Sequence, residues 1–116
     1  LLVTAAPIYM SIVGPAGWEQ VASASIANTT ALVAALTKIK GVELIFASPR
    51  FHEAVIRLPK PVAAVLEQLA DNNICGGFDL SAHYPELGHA LLVCATETKT
   101  TKHINTFAAS LAQALA

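Results

Sequence analysis

A hydroxyl, a carboxylate, a second hydroxyl and a cation follow one another in Thr96-Glu97-Thr98-Lys99, and an imidazole precedes a carboxylate in Phe51-His52-Glu53. Each group borders a mostly apolar run, Ala90–Ala95 before the first and Ala54–Leu58 after the second. Polar side chains at strand ends, where the chain leaves for a loop or a helix start, are well placed to hold a ligand. His52, Glu53, Thr96, Glu97 and Lys99 are therefore the candidates for a wall of a binding site. Taken alone, the same residues favour a plainer reading, a solvated loop followed by a helix cap.

Other reactive residues point to less. His52, His83, His89 and His103 form no His-x-x-x-His pair and no cluster with cysteine, so no set of ligands converges on a metal. Cys75 and Cys94 each lie in an apolar run, where a thiolate is disfavoured; they read as buried, inert thiols, with free and bridged states both open. Gly76-Gly77 lacks the strand-to-helix setting of a phosphate-binding turn and reads instead as a bulge or a close backbone approach. No serine or cysteine occupies a nucleophile elbow.

The elements that must position these residues follow from period and punctuation. Leu1–Val13 is apolar on every side, as in a helix buried all round or one belonging to a neighbouring domain. Gly14-Pro15-Ala16-Gly17 breaks it. From Trp18 a stripe at Val21, Ala22, Ser25, Thr29, Leu32, Val33 and Leu36 predicts a long helix, with Lys38 and Lys40 in its last turn and Gly41 ending it. Val42–Phe46 and Glu53–Leu58 predict an antiparallel pair of strands, stopped by Pro59-Lys60-Pro61. A helix through Val62, Val65, Leu66 and Leu69 ends at Asp71-Asn72-Asn73. Strands at Ile74–Phe78 and Ala90–Ala95 come next, then a helix N-capped by Thr100 and striped by Ile104, Phe107, Ala108, Leu111 and Leu115. Its capping is imperfect: His103 stands where a capping box wants Glu or Gln, and Lys102 sets a cation at the positive end. The order predicts an α+β fold, a mostly antiparallel sheet of about four strands with helices on one face.

Composition narrows the function classes. The 116 residues are 54% apolar and 13% charged, against roughly 25% charged in an average soluble domain. Two explanations of this excess stand side by side: an alanine-rich helical composition, or a surface normally covered by something else. Net charge is −1, with seven Lys and Arg scattered along the chain, which argues against nucleic acid. The opening apolar stretch is too short and too interrupted for a membrane span and lacks the features of a signal peptide. The start at Leu1, without methionine and in what reads as mid-element, is what a piece of a longer protein would show.

Four blocks in order carry a resemblance: Ile12–Trp18, Ser48–Pro59, Gly76–Leu80 with Tyr84–Leu87, and Leu91–Thr98. Together they resemble the C-terminal segment of glycine dehydrogenase (decarboxylating) subunit 1, the N-terminal-half type of glycine cleavage system P-protein. The resemblance implies the small C-terminal domain (15–116) of a fold type I, aspartate-aminotransferase-like enzyme, preceded at 1–14 by the end of a large domain or a connecting helix. It implies a cytoplasmic heterotetramer of subunits 1 and 2 that decarboxylates glycine and passes the aminomethyl group to the lipoyl arm of H-protein. The pyridoxal phosphate lysine is then expected on subunit 2, with no catalytic or cofactor-binding residue in this fragment. His52, Glu53, Thr96, Glu97 and Lys99 would form one wall of the site, and the fragment alone would be inactive. The pattern differs at His52, where the family tends to have Asn, at Lys99, where it tends to have Arg, and at Lys102 and His103, where acidic residues are usual. Lysine lacks the bidentate fork of arginine. The competing reading from the residues is a non-catalytic α+β module for ligand binding or assembly.

Overall fold

The computed structural model describes residues 1–116. Helix α1 (Leu2–Leu36) is two helical segments joined at a bend on Gly14, whose φ of 69° and ψ of 174° leave helical space. The expected break thus narrows to Gly14, and Pro15-Ala16-Gly17 already belong to the second segment, with Pro15 suited to a first turn. The first segment is largely uncovered: Leu2 is 82% exposed, Val3 86% and Ile12 79%, although Tyr9 packs edge to face on Trp18. After the bend Ser25, Thr29, Leu32, Val33 and Leu36 are buried at helical spacing.

α1 ends at Leu36, not at Gly41 with Lys38 and Lys40 in its last turn as the charge pattern suggests. The chain is diverted by a turn in which Ile39 N–H bonds to Leu36 O and Val42 N–H to Ile39 O. That turn sends Val42 into the core, with Gly41 at a φ of 85° that suits glycine. Lys38 and Lys40 consequently lie outside the helix.

Strands β1 (Glu43–Leu44), β2 (Glu53–Arg57), β3 (Phe78–Asp79) and β4 (Ala90–Cys94) form one antiparallel sheet in the order β1-β2-β4-β3. Helix α2 (Val62–Asp71) carries the chain from β2 to the far edge, and β4 returns between them. All four strands are shorter than the sequence suggests, β2 and β4 only at their last residue, β1 and β3 by more. Past β1 only Ile45 N–H continues the pairing, to Val55 O. Ile74–Gly77 makes no ladder, because Ile74 N–H turns back to Leu69 O and Gly77, at a φ of 135°, presses against the Leu92 carbonyl. A side chain at Gly77 would collide with that backbone, so the close-approach reading of the glycine pair holds.

Helix α3 (Thr101–Leu115) closes the helical layer. Its capping box does form, with histidine in the role usually taken by Glu or Gln: Thr100 Oγ1 accepts from His103 N–H, and His103 Nδ1 accepts from Thr100 N–H, both at 3.3 Å. The core gathers Leu32 and Leu36 of α1, Ile56, Leu91 and Val93 of the sheet, Val62 and Leu69 of α2, and Leu111 of α3. All three helices therefore pack on one sheet face. The opposite face carries Glu53, Val55 and Arg57 across from Cys94, Leu92 and Ala90, and Arg57 there reaches Glu43 at 3.1 Å and Leu87 O at 3.1 Å. Cys75 and Cys94 are not core residues: both are free and exposed, Cys75 in the loop before β3 and Cys94 at the end of β4 opposite Glu53.

Candidate functional site

The start of β2 and the end of β4 meet at one end of the sheet. Ala95 N–H donates to His52 O at 3.0 Å, and Glu53 pairs across the ladder with Cys94. This register brings His52 and Glu53 beside the Thr96–Lys99 segment. Phe51 and His52 pack edge to face, ring centroids 4.8 Å apart, while His52 Nδ1 is buried without a hydrogen-bond partner. Glu53 is exposed.

Thr96–Lys99 is a tight turn. Lys99 N–H bonds to Thr96 O at 3.1 Å, and the Thr96 and Thr98 hydroxyls lie 2.9 Å apart. Glu97 and Lys99 are exposed, and neither forms an ion pair. Charge nevertheless couples the two sides of the site. Partial burial pushes the Cys94 thiol above its ordinary value, Glu53 pushes it further, and Lys99 opposes both. All five sequence-predicted site residues therefore gather at this end of the sheet, with Cys94 between them.

Two residues that the sequence did not single out as polar anchors hold the turn in place. Thr29, fully buried in α1, donates its hydroxyl to Ala95 O at 2.9 Å. Asn28, its neighbour, donates Nδ2 to both Thr96 O at 2.9 Å and Lys99 O at 2.8 Å. A signal was available: a hydroxyl on the buried stripe of a helix must find an acceptor.

Beside the turn opens a cleft of about 600 Å³, lined among others by Cys75, Cys94, Lys99, Lys102, His103 and Phe107. No carboxylate lines it. A hollow of about 210 Å³ on the helix-free sheet face holds Arg50, Glu53 and Phe46. No three His, Cys, Asp or Glu side chains are grouped to hold a metal ion, and no helix is long and apolar enough to cross a membrane.

No family model matches the chain. The fold does match a solved structure, the crystal structure of glycine decarboxylase (P-protein) of the glycine cleavage system in inhibitor-bound form. The TM-score is 0.86 at 27% identity, over 93% of this chain and 24% of that one. The helix-backed antiparallel sheet is thus a small α+β domain of the P-protein class. Sequence comparison is more specific. A probable glycine dehydrogenase (decarboxylating) subunit 1 of Legionella pneumophila strain Philadelphia 1 is 55% identical over 96% of this chain and 24% of its own length. Proteins of the same name from Methylococcus capsulatus and Nitrosomonas europaea are 53% and 51% identical over 99% and 100% of this chain. The chain belongs to the glycine dehydrogenase (decarboxylating) subunit 1 family and spans about a quarter of the length of these relatives.

Proposed function

We propose that the chain is the C-terminal domain of a glycine cleavage P-protein subunit 1, with 1–14 ending or linking to a large domain and 15–116 forming the small domain. The whole protein then decarboxylates glycine and hands the aminomethyl group to the lipoyl arm of H-protein, in a cytoplasmic heterotetramer with subunit 2. The observation that carries this reading is the agreement of 55% sequence identity over nearly the whole chain with a matching P-protein fold. The uncovered apolar start of α1 supports a large-domain neighbour in the same protein, since contiguous exposed apolar surface usually marks a contact.

Pyridoxal phosphate supplies an electron sink in such enzymes and needs a bonded lysine, with an Asp or Arg partner for its ring nitrogen. Every lysine of this chain is exposed, and the cleft that holds Lys99 and Lys102 is lined by no carboxylate. These residues do not fit the cofactor by themselves, and the proposal takes its lysine from subunit 2. The role left to this domain is to present His52, Glu53, Thr96, Glu97 and Lys99 as one wall: hydroxyls and a carboxylate able to orient a polar substrate, and a cation able to face its carboxylate.

The test is exchange of labelled carbon dioxide into glycine by the full-length subunit, assembled with subunit 2 and supplied with H-protein. Removal of residues 15–116 is expected to abolish exchange. Exchange that survives the removal overturns the proposal.

A further inference from the structure

Asn28 sits on α1, remote in sequence from the candidate wall, yet it is the residue that ties down both ends of the wall's turn. A primary amide nitrogen carries two protons, and Asn28 Nδ2 spends one on Thr96 O at 2.9 Å and the other on Lys99 O at 2.8 Å. The turn between those carbonyls is closed by its own Lys99 N–H to Thr96 O bond. On one side of it Thr29 holds Ala95 O, and on the other the Thr100–His103 capping box fixes the start of α3. Only the Glu97 and Thr98 carbonyls at the tip are left without a bond to the protein. The tip is thus presented outward from a base anchored to the longest helix.

We infer that Asn28 is a positioning residue: by clamping the Thr96–Lys99 turn onto α1 it sets where Glu97 and Lys99 stand in the active site. The inference rests on the proposed function, because it takes that turn to be part of the wall. An amide is the side chain this geometry requires. Aspartate of the same shape offers no donor and turns its oxygens toward two carbonyl oxygens, while alanine leaves both carbonyls without the bond. Displacing a binding group by about 1 Å can lower a rate by roughly 100-fold.

The experiment uses the full-length subunit assembled with subunit 2 and compares Asn28→Asp, Asn28→Ala and Glu97→Gln. Glycine–carbon dioxide exchange per assembled enzyme is read alongside amide hydrogen exchange of the peptide covering Thr96–Thr100. Both Asn28 variants are expected to lower kcat/KM by about 10- to 100-fold and to speed amide exchange in that peptide, while the rest of the enzyme stays protected. A purely structural role would reduce the yield of assembled enzyme and leave the rate per assembled enzyme unchanged; that result overturns the inference. If Glu97→Gln lowers the rate and the Asn28 variants do not, the clamp is refuted while the wall stands. If Glu97→Gln and the Asn28 variants all leave the rate unchanged, the wall reading itself fails and the inference falls with it.

Discussion

Thr29→Val tests whether a single buried hydroxyl joins α1 to the sheet end that carries the candidate site. Thr29 has no exposed surface, and its Oγ1 donates to the carbonyl of Ala95, itself 1% exposed. Valine keeps the shape and removes the donor, so the Ala95 oxygen stays buried with no partner. Leaving a buried acceptor unpaired costs about 1–3 kcal/mol. For a chain of this size that corresponds to a fall in Tm of about 4–12 °C, at about 4 °C per kcal/mol. Thr29→Ser retains the hydroxyl and loses one methyl group, which costs about 1 kcal/mol. Urea unfolding of the 1–116 chain, followed by circular dichroism at unchanged slope, measures both. The reasoning is refuted if Thr29→Val matches the parent within error, or if Thr29→Ser is the more damaging of the two.

Two further outcomes follow from local chemistry. His103→Glu installs the usual capping-box partner and a negative charge in the first turn of α3, which has no acidic residue; stability in the same urea assay should rise by about 0.5–1 kcal/mol. The Cys94 thiol, raised by burial and then by Glu53 and lowered by Lys99, is thiolate to a smaller extent at mildly alkaline pH than an unperturbed cysteine. Iodoacetamide should therefore label Cys94 faster in Glu53→Gln and more slowly in Lys99→Ala than in the parent, as read by mass spectrometry of the Cys94 peptide.

Much of this architecture was legible because it obeys a period. The α1 stripe from Ser25 to Leu36 is buried as the spacing required, and the hairpin, α2 and the α3 stripe stand where apolar positions and prolines placed them. Misreadings arose where a local rule met a tertiary constraint. Lys38 and Lys40 suit a helix C-terminus, but delivering Val42 to the core ends α1 earlier. Ala90–Ala95 is a continuous apolar run, so the change from buried Val93 to exposed Cys94 is invisible in composition. His103 breaks the written capping pattern yet fills it, since a neutral imidazole nitrogen accepts a hydrogen bond as a carboxylate does. His52, Glu53, Thr96, Glu97 and Lys99 were legible as candidates from strand ends alone, and the strand register gathers them at one end of the sheet. Asn28 was not legible, because its partners lie 68 and 71 residues away and only the fold brings them together.

The central claim, that this sheet end is a wall of the glycine cleavage P-protein active site, is tested most directly by a crystal structure of the full-length subunit assembled with subunit 2 and bound to a glycine analogue. The account predicts at least one side chain among His52, Glu53, Thr96, Glu97 and Lys99 within hydrogen-bond reach of the analogue or cofactor, directly or through one water. A structure in which the Thr96–Lys99 turn faces bulk solvent, away from the cofactor, contradicts it.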